Sequence, residues 1–234
     1  MSSDVGTASR PGQLVGNRLA LIGAIVYLLE WVGIAAARTG VPAGPGHTGI
    51  TSSQVVALYA GHYGGVAFLA TWLSLVLLGR IAFATALRSA LRRSGADSVL
   101  LDFAVGAMAA SVILEISAFA VAAGAAQVAN TGGNPDMVVA LDAAANWLDL
   151  VIIAPLGVFL LCSALAMLWS GFFPRWISWL GIACGVAGTL LGVLIGPAFV
   201  AGGTFFSAVS VLNLSVLGFW VWMLATGIVL FRRA

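Results

Sequence analysis

The stretch AVGAMAASVILEISAFAVAAGAA, from Ala104 to Ala126, decides the class of this protein. It contains one charged residue, Glu115, in 23 positions. A helix needs about 20 apolar residues to cross the hydrocarbon of a bilayer. Because lipid offers no partner to open backbone groups, an apolar stretch of this length crosses as a helix. We therefore predict a transmembrane helix over Val99 to Ala126.

Five further stretches meet the same criterion and predict an all-α, polytopic membrane helix bundle with about six transmembrane helices. They run from Asn17 to Ala37, Tyr63 to Ala86, Val138 to Trp169, Trp176 to Ile195 and Phe205 to Phe231. Residues 17–234 are thus predicted to form a single six-helix transmembrane domain, preceded by a disordered cytoplasmic tail over residues 1–16. Pro155 predicts a bend within the fourth helix, because proline breaks the helical hydrogen-bond pattern.

The composition agrees with a membrane domain and excludes several function classes. The chain is 61% hydrophobic and 8% charged, whereas about 25% of a soluble domain is charged. It has no lysine, which excludes a Schiff-base lysine. Its two cysteines lie in apolar runs and its two histidines are isolated, so the sequence predicts no disulfide framework and no metal centre. We expect neither a cofactor nor a nucleic-acid partner.

The arginines predict the orientation of the bundle. With the N-terminus inside, all of the ten arginines except Arg38 lie on the cytoplasmic side. Short loops rich in arginine stay in the cytoplasm. Both termini are therefore predicted to be cytoplasmic, in a bacterial plasma membrane.

Five glycines lie along one side of the fifth predicted helix. They are Gly181, Gly185, Gly188, Gly192 and Gly196, at spacings of three and four residues. Small residues at this spacing let a neighbouring helix approach closely. We predict a packing groove.

Three carboxyls lie inside the predicted helices. Glu30 and Glu115 fall at similar depth in helices 1 and 3, and Asp149 lies on helix 4. A carboxylate near the bilayer centre costs about 2.5–3.5 kcal/mol, so each one calls for a partner or a function. The sequence predicts no buried arginine beside them, so we expect neutral carboxyls in a pocket that opens to the outer side or to the outer leaflet. Asp142 is predicted to be a helix-start residue.

A neutral carboxylic acid in an aromatic cavity suits the protonation of an alkene or epoxide, with the resulting cation stabilised on aromatic faces. Glu30, Glu115 and Asp149 are therefore the predicted catalytic residues. The predicted substrate-binding residues are Tyr27, His62, Phe119, Asn146, Trp147, Asn213 and Trp220. The expected partners are a lipid-soluble substrate and membrane lipids, with a homo-oligomer left open. Alternatively, the polar residues only bond one another across helices, at about 0.6 kcal/mol per pair.

The stretch FFPRWISWLGIACG, Phe172 to Gly185, resembles a bacterial family of six-helix membrane proteins without an assigned activity. That family has a Pro-Arg-Trp turn before helix 5 and a Leu-Glu pair in helix 3, matched here by residues 174–176 and 114–115. Its Arg-Asp-Trp motif near the start of helix 4 is only partly matched, because Ala145 precedes Asn146 and Trp147. The resemblance implies that an intramembrane ion pair at Ala145 is lost.

More loosely, the size, helix count and buried acids resemble integral-membrane terpene cyclases, including those of drimentine-type pathways. Acidic residues start the cyclisation in those enzymes, so the resemblance implies that role for Glu30, Glu115 and Asp149. The first functional hypothesis is therefore acid-initiated cyclisation of a prenylated, lipid-soluble substrate. A small proton-coupled transporter and a sensor or accessory membrane subunit are the alternatives.

Overall fold

A computed structural model describes residues 11–37, 51–96 and 98–233, and these residues are helical almost throughout. The helices in chain order are α1 (Pro11–Ala37), α2 (Ser52–Tyr59), α3 (Tyr63–Val76), α4 (Leu78–Arg93), α5 (Val99–Asn130), α6 (Pro135–Val151), α7 (Ile153–Ser170), α8 (Arg175–Ala201), α9 (Gly203–Ser210) and α10 (Leu214–Arg232). A 3₁₀ turn, Val211–Asn213, joins α9 to α10.

Six segments of the described residues are long and apolar enough to cross a membrane, which confirms the predicted bundle. They are Val15–Ala37, Tyr63–Arg93, Val99–Asn130, Pro135–Ser170, Arg175–Ala201 and Gly203–Arg232. The boundary of the predicted tail differs, because α1 begins at Pro11. Proline is favoured in the first helical turn, where its missing N–H has no partner to lose. Residues 11–16 are thus helical, and residues 1–10 lie outside the described part of the chain.

Consecutive spans are neighbours around the bundle. α1 packs against α3 and α4, α5 packs against α3, α6 and α7, and α8 packs against α7 and α10. The last span returns to the first through contacts between α10 and α1. We call the end that carries Arg92, Arg93, Arg175 and Arg232 the arginine-rich end. The short helix α2 lies at the opposite end and packs against α5 and α6.

Three spans are interrupted within their length. The interruptions are at Leu77, at Ile152 and at the 3₁₀ turn Val211–Asn213. The one at Ile152 matches the bend predicted from Pro155, since proline has no N–H to donate to the carbonyl of Val151.

The glycine face of α8 is a packing groove, as predicted. A methyl group at Gly185 would lie 2.6 Å from the backbone nitrogen of Leu161, and one at Gly192 would lie 2.5 Å from that of Ala154. Atoms at such distances overlap, so these glycines let α7 and α8 touch through their backbones.

We expect Gly192→Ala to lower the free energy of unfolding by about 1–3 kcal/mol, because its methyl group must push α7 away. Gly196→Ala is the matched control on the same helix. Its methyl group would lie 3.5 Å from the Trp147 ring, an ordinary contact. Unfolding of the detergent-solubilised protein with SDS measures both variants, and equal destabilisation would contradict this account of the groove.

Candidate functional site

A buried ion pair joins α4 to α5 inside the bundle. Arg80 is 2% exposed, and its Nη2 donates to Oε2 of Glu115, which is 4% exposed. Nη1 of Arg80 donates to Oγ of Ser111 over 3.2 Å. The guanidinium carbon also lies 4.3 Å from the centre of the Tyr27 ring, in cation–π geometry. Arg80 is therefore held by α1 and α5 together.

The prediction that no buried arginine accompanies the carboxyls is wrong. The second span continues to Arg93, so Arg80 lies 13 residues, or about 20 Å, before its end. The predicted second helix ends at Ala86, six residues after Arg80, and the orientation argument therefore counted Arg80 among the cytoplasmic arginines. Arg88, Arg92 and Arg93 occupy that end instead. Glu115 consequently has a basic partner and is poorly suited to the predicted role of neutral proton donor.

Close contact of α1 and α4 positions Arg80 beside Tyr27. A methyl group at Gly79 would lie 2.6 Å from the carbonyl oxygen of Gly23, so the two backbones touch at this point. Tyr27, one turn after Gly23, is 3% exposed. Two small residues thus bring the arginine of one helix onto the aromatic ring of the other.

Glu30 and Asp149 complete a group of four charged residues. Each of the two carboxyls interacts electrostatically with both Arg80 and Glu115, and they interact with each other. The structure thus brings the three predicted catalytic carboxyls together around one arginine. We call Glu30, Arg80, Glu115 and Asp149 the acid cluster.

Two carboxyls of the acid cluster are partly exposed at the surface of the bundle. Glu30 and Asp149 are only half-buried, although they face charges on other helices. One oxygen of Glu30, Oε2, is nevertheless buried, with no hydrogen-bond partner in the described parts of the chain. Glu30 is therefore partly exposed and also carries one buried oxygen without a hydrogen-bond partner in the described residues.

Aromatic rings cover one side of the acid cluster. Trp220 of α10 stacks on Tyr27 with ring centres 4.0 Å apart, and Phe219 lies 5.9 Å from the same ring. Trp31 lies 6.0 Å from Trp220. The predicted binding residues Tyr27 and Trp220 therefore join the cluster. Phe119, one turn after Glu115 on α5, is buried in the adjoining core.

Asp142 and Asn146 belong to a second polar group, under α2. The hydroxyl of Tyr59 donates to Oδ1 of Asp142 over 2.7 Å, and Nδ2 of Asn146 donates to Oδ2 over 3.1 Å. All three side chains are buried. Asp142 is not the predicted helix-start residue, since α6 begins at Pro135. Tyr59 was not predicted as a partner of Asp142, because it lies in the segment between the predicted first and second spans.

We expect Tyr59→Phe to cost about 1–3 kcal/mol, because Oδ1 of buried Asp142 loses its donor. Burial, together with the hydrogen bond to Asp142, raises the pKa of Tyr59 above its ordinary value. Stability from a group whose folded pKa is raised is present below the unfolded pKa, about 10 for tyrosine, and is lost as the pH rises beyond it. Thermal melting from pH 8 to 11 should therefore show a steeper alkaline loss in wild type than in Tyr59→Phe. Parallel curves would contradict this interpretation.

The other predicted binding residues lie at the surface of the bundle. His62 is exposed at the start of α3, and Asn213 is exposed in the 3₁₀ turn. Trp147 is 44% exposed and contacts Phe199 edge-on at 5.8 Å. None of the three takes part in the contacts described above for the acid cluster.

No group of three or more His, Cys, Asp or Glu side chains in the described residues is arranged to hold a metal ion. A cavity of about 310 Å³ lies at the arginine-rich end, between the α4–α5 turn and the end of α7. Its lining residues are Ser94, Gly95, Ala96, Ser98, Ala166, Trp169 and Ser170. It is thus separate from the acid cluster.

The chain matches no protein-family model, and no curated protein or solved structure is detectably similar to it.

Proposed function

We propose that this protein is an intramembrane enzyme of the bacterial plasma membrane that cyclises a prenylated, lipid-soluble substrate by acid catalysis. One observation carries the proposal: the half-buried carboxyls of Glu30 and Asp149 face a single buried Arg80–Glu115 pair, beside the stacked rings of Tyr27 and Trp220.

The charge balance of the cluster supports a proton-donating role. Three carboxyls face one arginine, and Glu115 accepts a hydrogen bond from that arginine. Two further negative charges within the membrane would each cost about 2.5–3.5 kcal/mol. A proton on one of the remaining carboxyls removes one of these charges. Because Arg80 holds Glu115, the donor and the acceptor are Asp149 and Glu30, and we propose Asp149 as the donor and Glu30 as the acceptor.

The reaction requires no oxidant or reductant. The proton of Asp149 adds to a double bond of the prenyl chain and leaves a tertiary carbocation. A nucleophilic centre of the same molecule forms a bond to the cation and closes the ring. A proton is then lost to the carboxylate of Glu30, so the product is an isomer of the substrate. Aromatic faces beside the cluster stabilise the cation meanwhile.

Membranes that contain the wild-type protein test the proposal directly. They are incubated with farnesylated indoles, phenols and quinones, and products of unchanged mass but altered retention are sought by chromatography with mass spectrometry. Membranes without the protein are the control. Failure to form a cyclised isomer from any of these substrates would count against the enzyme.

A proton-coupled transporter is the second candidate, and the interrupted spans favour it. The breaks at Leu77 and Ile152 lie three residues from Arg80 and Asp149, respectively. Transporter sites are often built where membrane helices are interrupted. Substrate-dependent acidification of proteoliposomes, read with a trapped pH dye, would favour transport over cyclisation.

The enzyme is proposed to sit with both termini in the cytoplasm. We expect cysteine at Asn134, in the turn before α6, to react with a membrane-impermeant maleimide added to intact cells. Cysteine at Ser94, beside the arginine-rich end of α4, should react only after lysis. The native Cys162 and Cys184 are buried and contribute little labelling. Labelling of Ser94→Cys but not of cysteine at Asn134 in intact cells would show that the protein has the opposite orientation.

A further inference from the structure

Two buried polar atoms near the acid cluster lack partners. Nε1 of Trp220 is a hydrogen-bond donor only, and Oε2 of Glu30 is an acceptor when the carboxyl is ionised. Neither atom has a hydrogen-bond partner within residues 11–37, 51–96 and 98–233. Trp220 is 8% exposed, so its N–H is well removed from solvent. A buried polar group without a partner destabilises the folded protein, which is reason to look for a ligand.

The two atoms belong to the same part of the bundle. The indole of Trp220 stacks on Tyr27 and also approaches Trp31, which are four residues apart on α1. Glu30 lies between them in sequence and shares their side of the helix, since positions i, i+3 and i+4 are neighbours. Its carboxyl interacts with the Tyr27 hydroxyl as well. The Trp220 ring therefore lies against the helix surface from which Glu30 projects.

We propose that Trp220 and Glu30 bind a hydroxyl group of the substrate, which makes the substrate a prenylated phenol or a related alcohol. A hydroxyl accepts a hydrogen bond from the indole N–H and donates one to the carboxylate, so it satisfies both atoms. An ether or a carbonyl cannot donate, and an ammonium cannot accept. This inference rests on the proposed cyclisation for its chemical consequence, although the binding site itself does not require turnover.

The bound hydroxyl is also the nucleophile that closes the ring. Asp149 protonates the prenyl double bond, and the hydroxyl oxygen attacks the tertiary cation. A carbon–oxygen bond forms, the O–H bond breaks, and its proton passes to the carboxylate of Glu30. The product is a cyclic ether with the same atoms as the substrate. Trp220 is a specificity-determining residue in this scheme, because it orients the oxygen before the cation forms.

The test uses 2-farnesylphenol and its O-methyl ether, which differ in the hydroxyl proton. Detergent-solubilised protein labelled with ¹⁵N at the indole positions gives one N–H cross-peak per tryptophan, and Trp220→Phe identifies the one that belongs to Trp220. We expect the phenol to move that cross-peak downfield. The ether should produce less than about a third of the shift. Equal shifts with the two probes, or none with the phenol, would overturn the proposal and leave bound water as the partner of Trp220.

Trp222→Phe is the matched control for binding. Trp222 lies two residues further on α10, is fully buried, and also has an Nε1 without a partner in the described residues. We expect Trp220→Phe to weaken binding of the phenol about fivefold to tenfold, the effect of one hydrogen bond. Trp222→Phe should change it less than twofold. Similar losses in the two variants would mean that the indole N–H of Trp220 has no special role.

Measuring binding and turnover separately distinguishes a failure of the hydroxyl site from a failure of the proposed function. A Trp220 shift with the phenol, without any cyclic ether, would retain the hydroxyl site and reject the cyclase. Equal formation of cyclised product by wild type and Trp220→Phe would retain the cyclase and reject the hydroxyl site. If Trp220→Phe fails to fold, assignment by selective labelling in wild type still allows the two probes to decide.

Discussion

Replacing Arg80 by methionine is expected to lower the free energy of unfolding by about 3–5 kcal/mol. The guanidinium is 2% exposed and donates to both Glu115 and Ser111. Its removal leaves the Glu115 carboxylate buried without a basic partner, and it also removes the cation from the Tyr27 ring. SDS unfolding of the detergent-solubilised protein, followed by circular dichroism, measures the change.

Arg88→Met is the matched control, because Arg88 lies two turns later on the same helix and pairs with Asp102 at the surface. Exposed pairs contribute about 0–1 kcal/mol, so this variant should remain close to wild type. The double variant Arg80→Met/Glu115→Leu should regain most of the loss, since it removes the carboxylate that Arg80→Met leaves buried without its partner. Equal effects of Arg80→Met and Arg88→Met would show that the buried pair does not hold α4 and α5 together.

The spans and the glycine groove were predictable because each depends on a local pattern. A membrane helix can be predicted from a run of about 20 apolar residues. The spacing of Gly185 and Gly192 places both on one side of α8, whichever helix packs there. The three carboxyls could likewise be singled out, because a charge in an apolar run is conspicuous. Their meeting at Arg80 depends on tertiary packing.

Arg80 was missed because the inner boundary of a long span cannot be read from hydropathy alone. The second span has 31 residues, which is more than a bilayer requires. An arginine in the half of this span towards the arginine-rich end could therefore lie either at the membrane interface or inside the bundle. The close approach of Gly23 and Gly79 decides between them, since it places Arg80 against Tyr27. Asp142 was misplaced for a similar reason, because its partner Tyr59 lies on a short helix far away in sequence.

The buried pair also bears on which carboxyl is the acid in the proposed reaction. From the sequence alone, Glu115 and Asp149 are equivalent candidates for the proton donor, since each is a carboxyl within a predicted membrane span. Arg80 removes that equivalence by bonding to Glu115. Substitutions of the two carboxyls by their amides should consequently differ in kind: the change at Glu115 should mainly cost stability, and the change at Asp149 should mainly cost turnover.

We expect Asp149→Asn to lower turnover of a farnesylated substrate by at least about 100-fold while the protein stays folded in the membrane. The amide keeps the volume of the side chain and can still form hydrogen bonds, but it has no acidic proton. Products are followed by chromatography with mass spectrometry and normalised to folded protein, which detergent melting reports. A protonated-carboxyl band in infrared difference spectra should also be present in wild type and absent from the variant.

Asp136→Asn is the control for Asp149→Asn, because Asp136 is an exposed residue in the first turn of the same helix. It should retain wild-type turnover and stability. Glu115→Gln should melt earlier, because a neutral amide no longer compensates Arg80, and its remaining folded fraction should turn over faster than Asp149→Asn. If Asp149→Asn keeps its activity and Glu115→Gln loses it without a loss of stability, then Glu115 is the proton donor and the arginine serves to hold the substrate rather than the carboxylate.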